Sequence, residues 1–112
     1  MSYKVETTEH FDKEVKKLAK KYVSIKSDLI ELFDDLSENP TKGTSLGNNI
    51  YKIRLAIRSI GKGKRSGARV ISLVKIESEK VYMVSIYIKS KKSNITDQEI
   101  KTLIERNFGE SS

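Results

Sequence analysis

The sequence has no cysteine, which excludes a disulfide framework and any thiolate metal site and points to a reducing compartment. It has one histidine, His10, so histidine pairs, histidine metal clusters and a two-histidine ribonuclease mechanism are excluded. Lying where a helix is predicted to begin, His10 reads as a solvated helix terminus. No D-x-D or H-E-x-x-H spacing is present to hold a metal ion, and no cofactor is expected. No stretch approaches the roughly 18 apolar residues that span a bilayer. The opening MSYKVETTEHF lacks an apolar signal core, so a soluble, unprocessed, cytoplasmic protein without a membrane partner is expected. The stretch GKGKRSG lacks the G-x-x-x-x-G-K-[ST] spacing of a phosphate loop and is not followed by a helix, which excludes nucleotide hydrolysis.

What is present is a chain of 112 residues, a length that one core commonly serves, so residues 1–112 are expected to form a single domain. Hydrophobic residues make up 37% and recur periodically between polar turns, enough for a modest core. The formal charge is +7, and its distribution matters more than its size. Residues 1–41 hold 7 Lys/Arg against 9 Asp/Glu, residues 42–92 hold 13 against 2, and residues 93–112 hold 2 against 4. One middle segment of net +11 flanked by mildly acidic ends predicts a coherent positive surface for a polyanion, with nucleic acid as the leading partner.

Tyr3, Val5 and Thr7 alternate with Lys4 and Glu6, predicting a short opening strand. From Phe11 the period changes. Phe11, Val15, Leu18 and Tyr22 mark an amphipathic helix with Thr8 as N-cap and Asp12 and Glu14 near the positive end of its dipole. Ile25, Leu29, Leu32, Phe33 and Leu36 mark a second helix, ending at Asn39 because Pro40 disfavours helical geometry before it. Thr41 to Asn49 has the glycine and asparagine content of a loop.

Three strands are predicted next. In the first, Tyr51, Ile53, Leu55 and Ile57 alternate with Lys52, Arg54, Ala56 and Arg58, giving one apolar and one cationic face. Ser59 to Gly67 reads as a flexible basic hairpin loop. The second strand runs from Ala68 to Ile76 and the third from Val81 to about Lys89, whose run VYMVSIYI predicts a central strand covered on both faces. Short connections imply an antiparallel meander. Thr96-Asp97-Gln98-Glu99 is a capping box, with Ile100, Leu103, Ile104 and Phe108 as the buried stripe of a last helix. The order strand, helix, helix, three strands, helix is an α+β layer fold.

The chemistry resides in the cations. Lys52, Arg54 and Arg58 are predicted on one strand face, Lys62, Lys64 and Arg65 in the adjoining loop, and Arg69 at the start of the paired strand. Lys89, Lys91 and Lys92 follow the third strand, with Tyr87 on the same face as Lys89. RNA supplies its own nucleophile, the 2′-hydroxyl. An enzyme need only deprotonate it, stabilise the pentacoordinate phosphorus and protonate the leaving 5′-oxygen. A lysine crowded by positive charge has a lowered pKa suited to proton transfer, whereas arginine stays charged and stabilises the transition state. Phosphate binding needs only charge while catalysis needs geometry, so the pattern alone leaves RNA binding without cleavage open. A tyrosine in an apolar strand is more often core than catalytic.

These residues also carry a family resemblance. The run YKIRLAIRSIGKGKRSGARVISLVKIESEKVYMVSIYIKSKKSNITDQEIKTLIE resembles the C-terminal half of the RelE/ParE toxin superfamily. The segments GKRSGARVI and IYIKSKKSNITDQE look like its HigB branch. The helical pair FDKEVKKLAKKY and IKSDLIELFDDLSENP precedes them in the expected order. The resemblance implies a microbial-RNase-type antiparallel sheet with helices on one side and the cationic face open. It implies a toxin of a type II toxin–antitoxin system that cleaves mRNA in the ribosomal A site and is neutralised by a cognate antitoxin. Arg54, Lys64, Arg69, Lys89 and Lys91 match its basic catalytic positions, and Lys52, Arg58, Lys62, Arg65, Tyr87 and Lys92 are the expected RNA-binding set. The late tyrosine of RelE itself would fall near Thr96, which leaves Tyr87 as a substitute. ParE-like members target DNA gyrase instead; the dense cations between Lys52 and Arg69 favour the ribonuclease side.

Overall fold

The computed structural model describes residues 2–60 and 67–109. The elements are β1 (Lys4–Thr7), α1 (Glu9–Ala19), α2 (Ile25–Glu38), β2 (Thr44–Gly47), β3 (Ile50–Leu55), a 3-10 turn (Arg58–Ile60), β4 (Ala68–Lys75), β5 (Lys80–Ile88) and α3 (Asp97–Phe108). The strands form one sheet in the order β1-β5-β4-β3-β2. Both predicted N-caps form. Thr8 Oγ1 accepts the Phe11 N–H and donates to the Met83 carbonyl, 2.9 Å away, pinning the start of α1 to β5. At α3, the Thr96 hydroxyl accepts the Glu99 N–H and the Glu99 carboxylate accepts the Thr96 N–H, two otherwise orphaned donors satisfied together.

Period-two alternation in β3 sends Ile53 and Leu55 to the face covered by α1 and α2, where they join Phe11, Leu29, Leu36, Val70, Met83 and Ile86. The opposite face of β4 and β5 carries Ile71, Leu73, Val84 and Tyr87, and on these pack Ile100 and Leu103 of α3 together with Ile95. β5 is therefore buried on both faces, as its unbroken apolar run predicts.

Four features differ from the sequence-based expectations. Thr44–Gly47 is an edge strand, not loop; it pairs with β3 through a tight turn at Asn48 and Asn49, whose φ angles are +53° and +62°. Two successive left-handed residues are what a tight hairpin needs, so the composition that reads as loop is hairpin chemistry. The strand is exposed throughout, which leaves no alternation to read. Second, β2 to β5 are antiparallel neighbours, but β1 pairs parallel with β5; alternation carries no information on strand direction. Third, the helices do not all lie on one side, because α3 covers part of the face expected to be open.

Fourth, β3 ends at Leu55, so Arg58 lies in the 3-10 turn and not on the strand. The buried Asp28 carboxylate accepts the Arg58 N–H at 3.1 Å, the Arg58 Nε–H at 3.0 Å and the Ser24 hydroxyl at 2.7 Å. The Arg58 guanidinium also pairs with Glu31, and the Ser59 N–H donates to the Ser24 oxygen at 2.8 Å. Arg58 thus ties the 3-10 turn to α2, its charge met by Asp28 and Glu31, while it still lines one cavity with Arg54 and Lys42.

Candidate active site

The antiparallel register sets the site. Arg54 of β3 is paired with Arg69 of β4, and Arg69 with Tyr87 of β5, so the three side chains form one row across three strands, with directly opposed residues about 5 Å apart. In the neighbouring row Lys52 is paired with Ile71, and Ile71 with Ser85. Just beyond that second row β5 carries an extra residue, Val84, at a bulge, the kind of irregularity that bends a strand and re-aims its side chains. The row faces the same side as α3, which covers its Tyr87 end and leaves Arg54 exposed.

Arg69 is only 8% exposed, and its guanidinium donates to the Ala68 carbonyl at 3.2 Å. Among the described residues no carboxylate pairs with Arg54 or Arg69, whereas Lys42 and Lys92 each have one and Arg58 has two. Two adjacent, uncompensated guanidiniums on one sheet face attract a phosphate strongly. Tyr87 is equally buried, and its hydroxyl has no hydrogen-bond partner among the described residues. Burial pushes its pKa up; the nearby Arg69 and Lys92 charges pull the other way and Glu99 adds to the rise. The phenol is therefore protonated at neutral pH and available as a donor.

The other predicted residues divide. Lys52 donates to Asn94 Oδ1 at 3.2 Å, Lys89 to the Ser93 carbonyl at 2.9 Å and Lys92 to Glu99 at 2.7 Å. The connection before α3 thus gathers Lys52, Lys89 and Lys92 around the end of the row. Lys91 instead faces Lys21, just beyond α1, and that second ammonium lowers its pKa. A lysine softened by a like charge does exist, but the charge responsible is Lys21 and not the row. Lys62, Lys64 and Arg65 lie outside the described residues. Asn94 and the second role of Glu99 were not predicted; only the capping function of Glu99 has a sequence signal. Among the described residues there is no group of three or more His, Cys, Asp or Glu side chains placed to hold a metal ion, and no helix is long and apolar enough to cross a membrane.

The model of the family described as the RelE toxin of the RelE/RelB toxin–antitoxin system matches residues 4–107. The chain belongs to the RelE toxin family. It is similar in fold to a free-state structure of a variant of the Escherichia coli toxin RelE, with TM-score 0.60 and 23% identity over 83% of this chain and 90% of that one. It is also similar to a chain of the RelBE2 toxin–antitoxin complex of Mycobacterium tuberculosis, with TM-score 0.57 and 18% identity over 79% of this chain and 99% of that one. No curated protein sequence matches it. This RelE-family toxin therefore has the α+β fold of its relatives, with the Arg54–Arg69–Tyr87 row on the sheet.

Two ion pairs near the site make stability depend on pH. The Lys92 ammonium, with the Thr96 N–H, holds the Glu99 carboxyl below the usual carboxylate range, and Lys42, with Asn39, does the same for Asp35. A depressed folded pKa adds stability that is present above the unfolded value, about 4 for these groups, and is lost as pH falls through the folded value. The melting temperature is therefore expected to drop as pH falls below about 4, and Glu99→Gln to flatten that drop. Thermal melts between pH 3 and 7 check this; an unchanged profile in the variant refutes the role of Glu99.

Proposed function

We propose that this toxin is a metal-independent, ribosome-dependent mRNA endoribonuclease of the HigB-like branch, acting in the cytoplasm and neutralised by a cognate antitoxin. The observation that carries the reading is the pairing of Arg54 with Arg69 across β3 and β4, two guanidiniums without a carboxylate partner among the described residues. Substrate RNA lies along this row with its scissile phosphate between them. The 2′-hydroxyl attacks phosphorus, the guanidiniums stabilise the added negative charge, and the 5′-oxygen leaves with a proton. The proton transfers fall to Lys52 and Lys89 beside the row, and to Lys64. Lys92 and Tyr87 hold the substrate, Tyr87 as a donor. Lys62, Arg65 and Lys91 serve as further phosphate contacts. The GKRSGARVI segment supports the HigB-like branch, and the +11 middle segment favours an acidic or amphipathic antitoxin segment as its cover.

The test is incubation of purified protein with an mRNA programmed on bacterial ribosomes, beside the same mRNA alone, with new 3′ ends mapped by primer extension. Cleavage only on ribosomes is expected. Cleavage of free mRNA removes the ribosome from the mechanism, and no cleavage by folded protein overturns the ribonuclease reading.

A further inference from the structure

β1 pairs with β5 only as far as Met83, and beyond that point α1 and α3 flank β5 to enclose a cleft of about 430 Å³. That volume falls within the range of small-ligand sites and exceeds what one nucleobase needs. Its floor is apolar, with Ile86, Ile95 and Leu103, and its polar lining includes His10, Glu14 and Tyr87. Lys92 and Glu99 also line it and pair with each other. Tyr87 belongs both to this cleft and to the row with Arg69, so the cleft opens directly beside the cationic face.

Two polar groups of the lining residues are unspent. The Tyr87 hydroxyl is buried, with almost no accessible surface, and has no partner among the described residues, a condition that costs about 1–3 kcal/mol and that an acceptor on a bound base would relieve once the phenol turns to it. Glu14 has only a loose contact with His10, at 3.9 Å, and both side chains are about one-third exposed. The other carboxylate is occupied, since Glu99 accepts from the Thr96 N–H with one oxygen and from Lys92 with the other. Gln98 and Thr102 face each other at 3.4 Å.

We propose that this cleft receives one base of the substrate RNA and prefers guanine. The assignment to RNA rests on the ribonuclease reading above. A carboxylate accepts two parallel hydrogen bonds from neighbouring donors, and guanine alone among the four RNA bases places two donors, N1–H and N2–H, side by side on its pairing edge. Its O6 lies next to them as an acceptor for a phenol O–H. Adenine and cytosine offer one amino donor beside an unprotonated ring nitrogen, which a carboxylate repels, and uracil offers a single N–H between two carbonyls. Single-stranded RNA is read in this way, with a base turned out of the strand and bonded along its pairing edge. A phosphate on Arg69 and a base beside Tyr87 then belong to adjacent parts of one nucleotide chain.

The experiment is protein-observed NMR titration of the intact protein with guanosine, adenosine, cytidine and uridine 3′-monophosphates. The amides of His10, Glu14, Tyr87 and Leu103 are expected to shift, with guanosine 3′-monophosphate binding roughly ten-fold tighter than the others, the effect of one additional charge-assisted hydrogen bond. Glu14→Gln, verified as folded by its melting temperature, is expected to abolish the preference. Equal binding of all four, shifts confined to Lys52, Arg54 and Arg69, or a preference that survives Glu14→Gln overturns the proposal.

A guanylyl-uridine dinucleotide carrying a 2′-deoxy guanosine, which cannot be cleaved, is expected to bind tighter than guanosine without a phosphate and to shift Arg69 as well. No gain over guanosine makes the cleft a free-nucleoside site and overturns its assignment to RNA. Ribosomal cleavage is measured on the same preparation. Guanine-selective binding without cleavage overturns the ribonuclease reading and leaves the base cleft standing, whereas cleavage without nucleotide selectivity overturns the cleft alone.

Discussion

Replacing Arg69 with alanine is expected to slow mRNA cleavage by roughly 10²- to 10³-fold, the usual cost of removing one transition-state donor, while weakening RNA binding far less. Arg69 sits at the centre of the row, in register with Arg54 on one side and Tyr87 on the other. It is 8% exposed, so its guanidinium is screened by solvent less than an exposed one would be, and charge stabilisation there is correspondingly larger. On the proposed ribonuclease reading, RNA affinity is by contrast spread over many phosphate contacts, of which Arg69 would supply one. Arg69→Lys is expected to recover little, because an ammonium cannot reproduce the planar donor fork. Single-turnover cleavage rates on ribosomes and salt-dependent RNA affinities separate the two effects. A variant that loses cleavage and binding in equal measure would make Arg69 a binding residue only, and one that retains the full rate would move the chemistry elsewhere on the face.

The parts of this site legible in the sequence are those set by local periodicity. The alternation of Ile53 and Leu55 with Lys52 and Arg54 states which side chains share a face, and the structure places them so. The caps at Thr8 and Thr96 are equally local, since each is satisfied within three residues. What was not legible depends on contacts distant in sequence. Arg58 continues the alternation perfectly, but its strand has ended and Asp28, thirty residues earlier, captures it. Lys91 and Lys92 are adjacent in sequence, but the tight turn after β5 sends one to Lys21 and the other to Glu99. The amphipathic stripe of α3 predicts burial without saying on which face of the sheet. Its packing over Tyr87 turns an apparently open cationic surface into a row with one covered end and an adjoining cleft. His10, read as a solvated terminus, lines that cleft because the short β1 brings α1 alongside β5.

Gly67→Ala is expected to destabilise the protein by about 3 kcal/mol or more, at the top of the range for overpacking. In sequence Gly67 is the last of three glycines in a basic stretch and looks interchangeable with them. In the fold it precedes β4, one residue before the Leu55–Ala68 pair, and its carbonyl accepts the Lys89 N–H at 3.0 Å. A Cβ there would lie 2.2 Å from the Leu55 carbonyl oxygen. The obstruction is backbone, which no rotamer change relieves, so β3 must move away from β4 or the Lys89 contact must break. Either movement acts one residue pair from Arg54 and Arg69, so the variant is expected to lose cleavage along with stability. Gly47→Ala is the informative contrast: nothing lies within 4 Å of its Cβ position, and its φ of +91° imposes only the left-handed penalty of about 1–2 kcal/mol. Chemical denaturation of both variants compares the two costs directly. A Gly67→Ala protein as stable as Gly47→Ala would mean that β3 and β4 separate without penalty, and the close approach that fixes the spacing of the two arginines would have to be abandoned.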